Sequence, residues 1–156
     1  MKKSVLLFIA ASMLVACSTG SISQRTLPAD PLLPPSLVQP GFVRMPHNLH
    51  YYADINSVWV DSDSKNMIHF DAVINLRKGP HVYSDRDKIA KSMRQAKVVN
   101  CDTMKLTHLK TDYYSEFWGT GDPVTPEHQK MRTVDLRKGS SLYTLAQVLC
   151  INLYRK

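Results

Sequence analysis

The chain has 156 residues, with 20 Lys and Arg against 13 Asp and Glu, a formal net charge of +7. That length accommodates one small domain, and a moderate basic excess favours polyanionic partners such as glycosaminoglycans, acidic glycoproteins or lipid headgroups, with nucleic acid not expected. The 6 Gly form no phosphate-cradling pattern and the 3 Cys no metal-type spacing, which excludes nucleotide-loop and cysteine-metal chemistry as motifs.

Residues 1–16 read as an export signal: a positive start at Lys2 and Lys3, an apolar run from Val5 to Ala11 too short to span a bilayer, and small residues before Cys17. The run Leu14-Val15-Ala16-Cys17-Ser18 resembles the lipobox of bacterial lipoprotein precursors. That resemblance implies a diacylglycerol on the Cys17 sulfur, cleavage before Cys17, and acylation of the freed amine. Several acyl chains make a durable anchor, since each buried methylene contributes ~0.8 kcal/mol. An ordinary signal peptide that ends near a cysteine is the competing reading. Ser18 follows the Cys where inner-membrane lipoproteins carry Asp, which points to the outer membrane. Removal of residues 1–16 leaves 140 residues with 18 basic and 13 acidic side chains, a net +5. No later stretch approaches the roughly 18 uninterrupted apolar residues of a spanning helix.

Residues 17–40 hold Pro28, Pro31, Pro34, Pro35 and Pro40 among Ser and Thr, a composition that blocks regular hydrogen-bonded structure. The expectation is a stalk reaching ~60 Å from the membrane. An extended arm on the domain is the alternative, given Leu27, Leu32, Leu33, Leu37 and Val38.

The domain is placed at residues 41–156. Phe42 to Met45 reads as a short strand, and Tyr51 to Val60 outlines a further strand pair dense in β-forming side chains. A polar turn from Asp61 to Asn66 leads into the clearest strand, Met67 to Arg77. There Ile68, Phe70, Ala72, Ile74 and Leu76 fall on a core face, and His69, Asp71, Asn75 and Arg77 on a wet one. Lys78-Gly79-Pro80 turns the chain, Val82-Tyr83 returns it, and Met93 to Cys101 and Leu106 to Tyr114 form two further strands around Asp102-Thr103. The connections are too short for crossovers, so the sheet is antiparallel. After a polar loop to Gln129 and a short strand near Met131 to Leu136, Ser140 caps a helix from Ser141 to Tyr154. Its stripe of Leu142, Leu145, Ala146, Leu149, Cys150 and Leu153 must lie on the sheet. The predicted class is α+β, one antiparallel sheet with a C-terminal helix packed on it. In an oxidising compartment Cys101 and Cys150 pair, closing a loop of 49 residues worth about 4 kcal/mol. Two buried thiols are the competing reading.

Catalytic and metal motifs are not found. The 6 His include no H-E-x-x-H and no pair on one helical face, and His69 and His108 read as wet-face strand residues. There is no G-x-S-x-G, and Asp61, Asp63, Asp71, Asp112 and Glu116 suit solvated turns and strand ends. The expectation is a protein that is not an enzyme and holds no metal. The most partner-like feature is the basic run Arg86, Lys88, Lys91, Arg94 and Lys97, read as a positive patch beside the sheet. Lysines that protect an edge strand from aggregation are the plainer reading. Tyr51, Tyr52, Trp59, Tyr113, Tyr114, Phe117 and Trp118 divide between core and a recognition surface.

Taken together, Tyr51-Tyr52-x-Asp54, Ser57 to Asp61, Ile68 to Leu76, Lys78-Gly79, Val82-Tyr83, Arg94-Gln95, Asn100-Cys101, Thr111-Asp112-x-Tyr114, Glu116 to Gly119 and Leu142-Tyr143-x-x-Ala146-Gln147-x-x-Cys150 resemble the surface-adhesin protein E family of Gram-negative bacteria. The resemblance implies a surface-exposed outer-membrane lipoprotein with an antiparallel sheet and a disulfide-bound C-terminal helix. It further implies adhesion to laminin, vitronectin and epithelial cells, haem as a candidate cofactor, and a homodimer. The laminin-type region would run from Val43 to about Phe70, with Arg44, Tyr51 and Tyr52 contributing. The vitronectin-type region would centre on Asp85 to Lys97, with Arg86, Lys88, Lys91, Arg94 and Lys97. Where the family pattern has two adjacent basic residues, this chain has Asp87-Lys88, which removes one cation and leaves Arg86 beside it. The rival functions are a haem-holding surface lipoprotein, with Tyr or His as iron ligands, and a structural lipoprotein of the envelope.

Overall fold

Alternating apolar side chains from Ile68 onward build the middle of an antiparallel sheet, and the other strands arrange themselves around it. The computed structural model describes residues 33–48 and 50–154. The expected signal, Cys17 and most of the expected stalk lie outside these residues. The strands are β1 (Phe42–Arg44), β2 (Tyr51–Val60), β3 (Met67–Asn75), β4 (Ser92–Asn100), β5 (Lys105–Tyr114), β6 (Pro123–Val124) and β7 (Arg132–Asp135), followed by helix α1 (Ser141–Leu153). The sheet runs in the order β1-β2-β3-β4-β5-β6, with β7 also paired to β5. From β1 to β6 consecutive strands are neighbours and antiparallel, as short turns require.

The first face of β3 is the core face expected from its alternation. Ile68, Phe70 and Ala72 cluster with Val99 and Leu106, and Leu142, Leu145, Ala146, Leu149 and Cys150 of α1 pack against them. Each large apolar side chain buried here contributes about 1.5–3 kcal/mol. Helix α1 starts where Ser140 accepts a hydrogen bond from the Tyr143 N–H, as its capping chemistry dictates. A disulfide joins Cys101 at the end of β4 to Cys150 in the last turns of the helix, with Cα atoms 5.5 Å apart.

The opposite face departs from expectation. Asn75, placed on a wet face by alternation, is 2 % exposed. The cause is Trp118, which folds back over this face, its ring centroid 4.6 Å from Tyr52 and 5.0 Å from Phe42. The Trp118 N–H donates to Asn75 Oδ1 at 2.8 Å, and the next N–H, of Gly119, donates to Ser92 Oγ at 2.9 Å. Gly119 has φ +67°, and a Cβ there would sit 2.9 Å from Arg94 Nε, so only glycine lets the turn lie flat on that guanidinium. Tertiary cover thus converts a polar alternating position into core.

Four further elements differ from the sequence reading. Tyr51 to Val60 is one strand with an irregularity between Asp54 and Trp59, where an expected strand pair would have broken. There the Asp54 carboxylate accepts from the Asn56 N–H, and Ser57 Oγ accepts from the Asp71 N–H. Val82-Tyr83 forms no strand, because this segment docks by side chains on the connection after β5. Leu153 is 42 % exposed, beyond the reach of the sheet. His108 shares the helix-bearing face with Leu106 two residues before it, so it is not a wet-face residue. Replacement of Cys101 and Cys150 together by Ala is expected to lower unfolding free energy by about 2–4 kcal/mol in urea titrations. An unchanged midpoint would show that packing alone holds α1.

Candidate functional site

The segment from Leu76 to Lys91, between β3 and β4, carries the first half of the basic run. Its base is pinched where Gly79 meets Ala90 so closely that a Cβ would lie 1.6 Å from the Ala90 carbonyl oxygen. Its tip is a turn in which the Asp85 carboxylate accepts from the Asp87 N–H at 3.0 Å. Tyr83 Oη donates to the Asp122 carbonyl at 2.8 Å, Lys88 forms an ion pair with the Asp122 carboxylate, and its Nζ lies 5.0 Å over the Tyr83 ring. Arg86 at this tip is exposed and meets no carboxylate among the described residues. Lys91 Nζ pairs with Glu116 at 2.9 Å.

The second half of the run is divided by the pleat of β4. Arg94 points to the Trp118 side, where Nη1 donates to Asp54 Oδ2 at 2.7 Å and to Asp71 Oδ2 at 2.9 Å. Burial alone would lower the Arg94 pKa, but hydrogen bonds to the Asp71 and Asp54 carboxylates hold it above its ordinary value. One guanidinium therefore ties β2, β3 and β4 together. Lys97 points the other way and is 7 % exposed. Burial lowers its pKa to about 8. Its Nζ lies 3.5 Å from His108 Nδ1, and burial followed by this cation depresses the His108 pKa. The five cations do not form one patch. Arg86, Lys88 and Lys91 belong to the loop side, Arg94 is internal to an ion-pair network, and Lys97 is inside.

The expected residues of the other region separate as well. Arg44 is exposed on edge strand β1, donates from Nη2 to the Ser36 carbonyl at 3.0 Å, and lies 5.8 Å over the Tyr52 ring. Tyr52 itself is 0 % exposed beneath Trp118, so its ring acts through the core and cannot touch a partner. Tyr51 lies on the helix side against the apolar cluster, and desolvation raises its pKa to about 12. Trp59, by contrast, is exposed and stacks on His69 at 3.8 Å between centroids.

Sequence reasoning missed two arrangements. The first is Gln129, whose side chain accepts from the Thr111 N–H and donates to its carbonyl at 2.7 Å. This amide occupies β5 between the stretches paired to β6 and β7, and nothing in the local sequence signals it. The second is a cavity on the helix-bearing face lined by Lys97 and His108. Here a signal existed, because reading the alternation back from Val99 places Lys97 on the core face.

Solved structures share this architecture. Haemophilus influenzae protein E superposes with a TM-score of 0.74 at 42 % identity, covering 78 % of this chain and 94 % of the solved one. A second crystal form of that protein gives 0.73 at 42 % identity over 81 % of this chain and all of the solved one. The chain belongs to the Surface-adhesin protein E family, whose model matches residues 42–151. It is 40 % identical over 150 residues to the Surface-adhesin protein E of H. influenzae strain NTHi 3655, spanning 96 % of this chain and 93 % of that protein. Identity to the protein of strain Rd is 39 % over the same length.

Arg94→Leu leaves the Asp54 and Asp71 carboxylates facing each other without their cation. It is expected to cost about 3 kcal/mol or more in urea unfolding, and a loss below ~1 kcal/mol would show that the network is dispensable. Lys97 generates a pH dependence of defined sign. Between about pH 8 and pH 10 the unfolded chain keeps the Lys97 proton while the folded chain releases it. Folding stability therefore rises with pH in that window. Lys97→Met should remove this rise and increase stability at pH 7 by about 1–3 kcal/mol. Above pH 10 Tyr51 acts oppositely, since the unfolded chain loses its proton first. Thermal melts across pH 7 to 10 on both proteins check the slope, and parallel curves would refute the assignment.

Proposed function

We propose that this chain is a surface adhesin anchored in the outer membrane through Cys17, and that it holds host matrix glycoproteins such as laminin and vitronectin noncovalently. The observation that carries the reading is membership of the Surface-adhesin protein E family across residues 42–151. The distribution of charge supports it. Arg86 stands exposed at the tip of the β3–β4 connection, and Lys88 and Lys91 hold carboxylates whose own side chains are 71 % and 56 % exposed. Exposed ion pairs contribute only about 0–1 kcal/mol. A partner's acidic segment can therefore take over Lys88 and Lys91 at small cost. Arg44, exposed on edge strand β1, supplies the cation for the second contact. Arg94, Lys97 and Tyr52 act within the fold and are not contact residues.

Contacts of this kind are screened within ~8 Å at physiological ionic strength, so binding should weaken as salt rises. The test is binding of the full chain to immobilised laminin and vitronectin across a salt series. The triple variant Arg86→Glu, Lys88→Glu, Lys91→Glu is expected to lose vitronectin binding about tenfold or more, and Arg44→Glu to weaken laminin binding. Salt-independent binding, or variants indistinguishable from the parent, would refute the electrostatic mechanism.

A further inference from the structure

On the helix-bearing face three basic residues stand in one cross-strand row. Lys97 of β4 is the register partner of His108 of β5, and His108 is the register partner of Arg132 of β7. The row two residues along is apolar: Val99 pairs with Leu106, and Leu106 with Val134. Between these rows and Leu142 of α1 lies a cavity of about 380 Å³, with Gln95 as its remaining lining residue. Three of its lining side chains are basic and none is acidic.

The row sets two cations, Lys97 and Arg132, on either side of His108 on neighbouring strands. Lys97 is 7 % exposed and has no carboxylate partner among the described residues. A buried ammonium is normally paired with an anion. Among the described residues Lys97 Nζ meets His108 Nδ1 at 3.5 Å, and His108 Nε2 lies 3.0 Å from Thr111 Oγ1. A neutral ring with Nδ1 accepting from Lys97 and Nε2–H donating to Thr111 fits both contacts. The ammonium then has two donors left. Arg132, on the exposed strand β7, adds a planar fork suited to bidentate contact with a carboxylate.

We propose that this cavity binds an amphiphilic organic carboxylate, its head group held by Lys97 and Arg132 and its apolar body lying against Leu106, Val134 and Leu142. A small inorganic anion would satisfy the cations but leave the apolar wall unused. The site lies on the face opposite Arg94, Asp54 and Trp118. It is independent of the exposed cations assigned to matrix binding, since it shares none of their side chains.

The probe is octanoate below its aggregation range, titrated calorimetrically into a full chain carrying Cys17→Ala and purified without detergent. Acetate and inorganic phosphate serve as the other arms. Saturable octanoate binding is expected, with both comparison ions about tenfold weaker or worse. Lys97→Met should weaken octanoate binding about tenfold or more while remaining folded, as its thermal melt would report, and Arg132→Gln on the exposed strand should weaken it in the same direction. Arg86→Gln should leave octanoate affinity unchanged. Three results would overturn the proposal: no saturable octanoate binding, undiminished affinity in Lys97→Met, or phosphate binding as tight as octanoate.

Discussion

One apolar sheet face needs a cover, and a single helix of 13 residues has to supply it. An isolated helix of that length is marginal in water, so its persistence comes from its packed face and from being tethered. The Cys101–Cys150 bridge provides the tether, joining the turn after β4 to the far end of α1. A phenol hydroxyl continues the same seam, since Tyr154 Oη donates to Asp102 Oδ1 at 3.1 Å and Asn66 donates to the other oxygen of that carboxylate at 2.8 Å. The helix is thereby centred over Ile68, Phe70, Ala72, Val99 and Leu106. The side chains of Gln95, Lys97 and His108 line a cavity whose helix residue is Leu142, in the first turn of α1. The cavity is the consequence of one short helix covering a wider sheet.

Among the described residues the other face carries no α-helix and is closed by the short 3-10 turn Phe117–Gly119. A turn carrying Trp118 lays an indole across Phe42 and Tyr52, and its backbone donors are taken by Asn75 and Ser92. The Asn75 side-chain carbonyl and the Ser92 hydroxyl are tolerable there because both are hydrogen-bonded, whereas Asn75 Nδ2 meets no partner among the described residues. Next to them Arg94 bridges two carboxylates from two strands. Such a pair of contacts adds less net stability than it appears to, given the desolvation cost, but removing the cation alone would leave two partly buried negative charges together. The structural demand on Arg94 explains why a basic run along the sequence does not become a basic patch in space.

These two closures sort the charges by role. Cations whose partners lie in the interior belong to the architecture, and those whose partners are exposed carboxylates remain available to other molecules. Lys88 and Lys91 fall in the second group, and Arg86, exposed and without a carboxylate among the described residues, stands beside them on a connection fastened by Tyr83 and Asp122 to the segment after β5. The proposed matrix binding accords with this distribution, since large acidic partners suit exchangeable surface contacts rather than a deep pocket. Lys97 fits neither group: it is interior but unpaired by acid, and that mismatch singles out its cavity.

The amino-acid sequence by itself determined much of the local structure. Strict alternation from Ile68 marked β3 and its core face, Ser140 marked the start of α1, short polar turns forced antiparallel pairing, and an ordered series of motifs marked the family. These are local properties, carried by periodicity, capping and turn chemistry within a few residues. What only the tertiary structure decided was the second face. Alternation can assign a side chain to one side of a strand, but it cannot say whether that side meets water, a returning Trp118 or the end of a short helix. Asn75 became core, Tyr52 lost any outward role, Arg94 was drawn into an ion-pair network and Lys97 into a cavity. In each case the partner lies more than ten residues away in the chain, and burial by such partners sets the dielectric, the pKa and the availability of a charge.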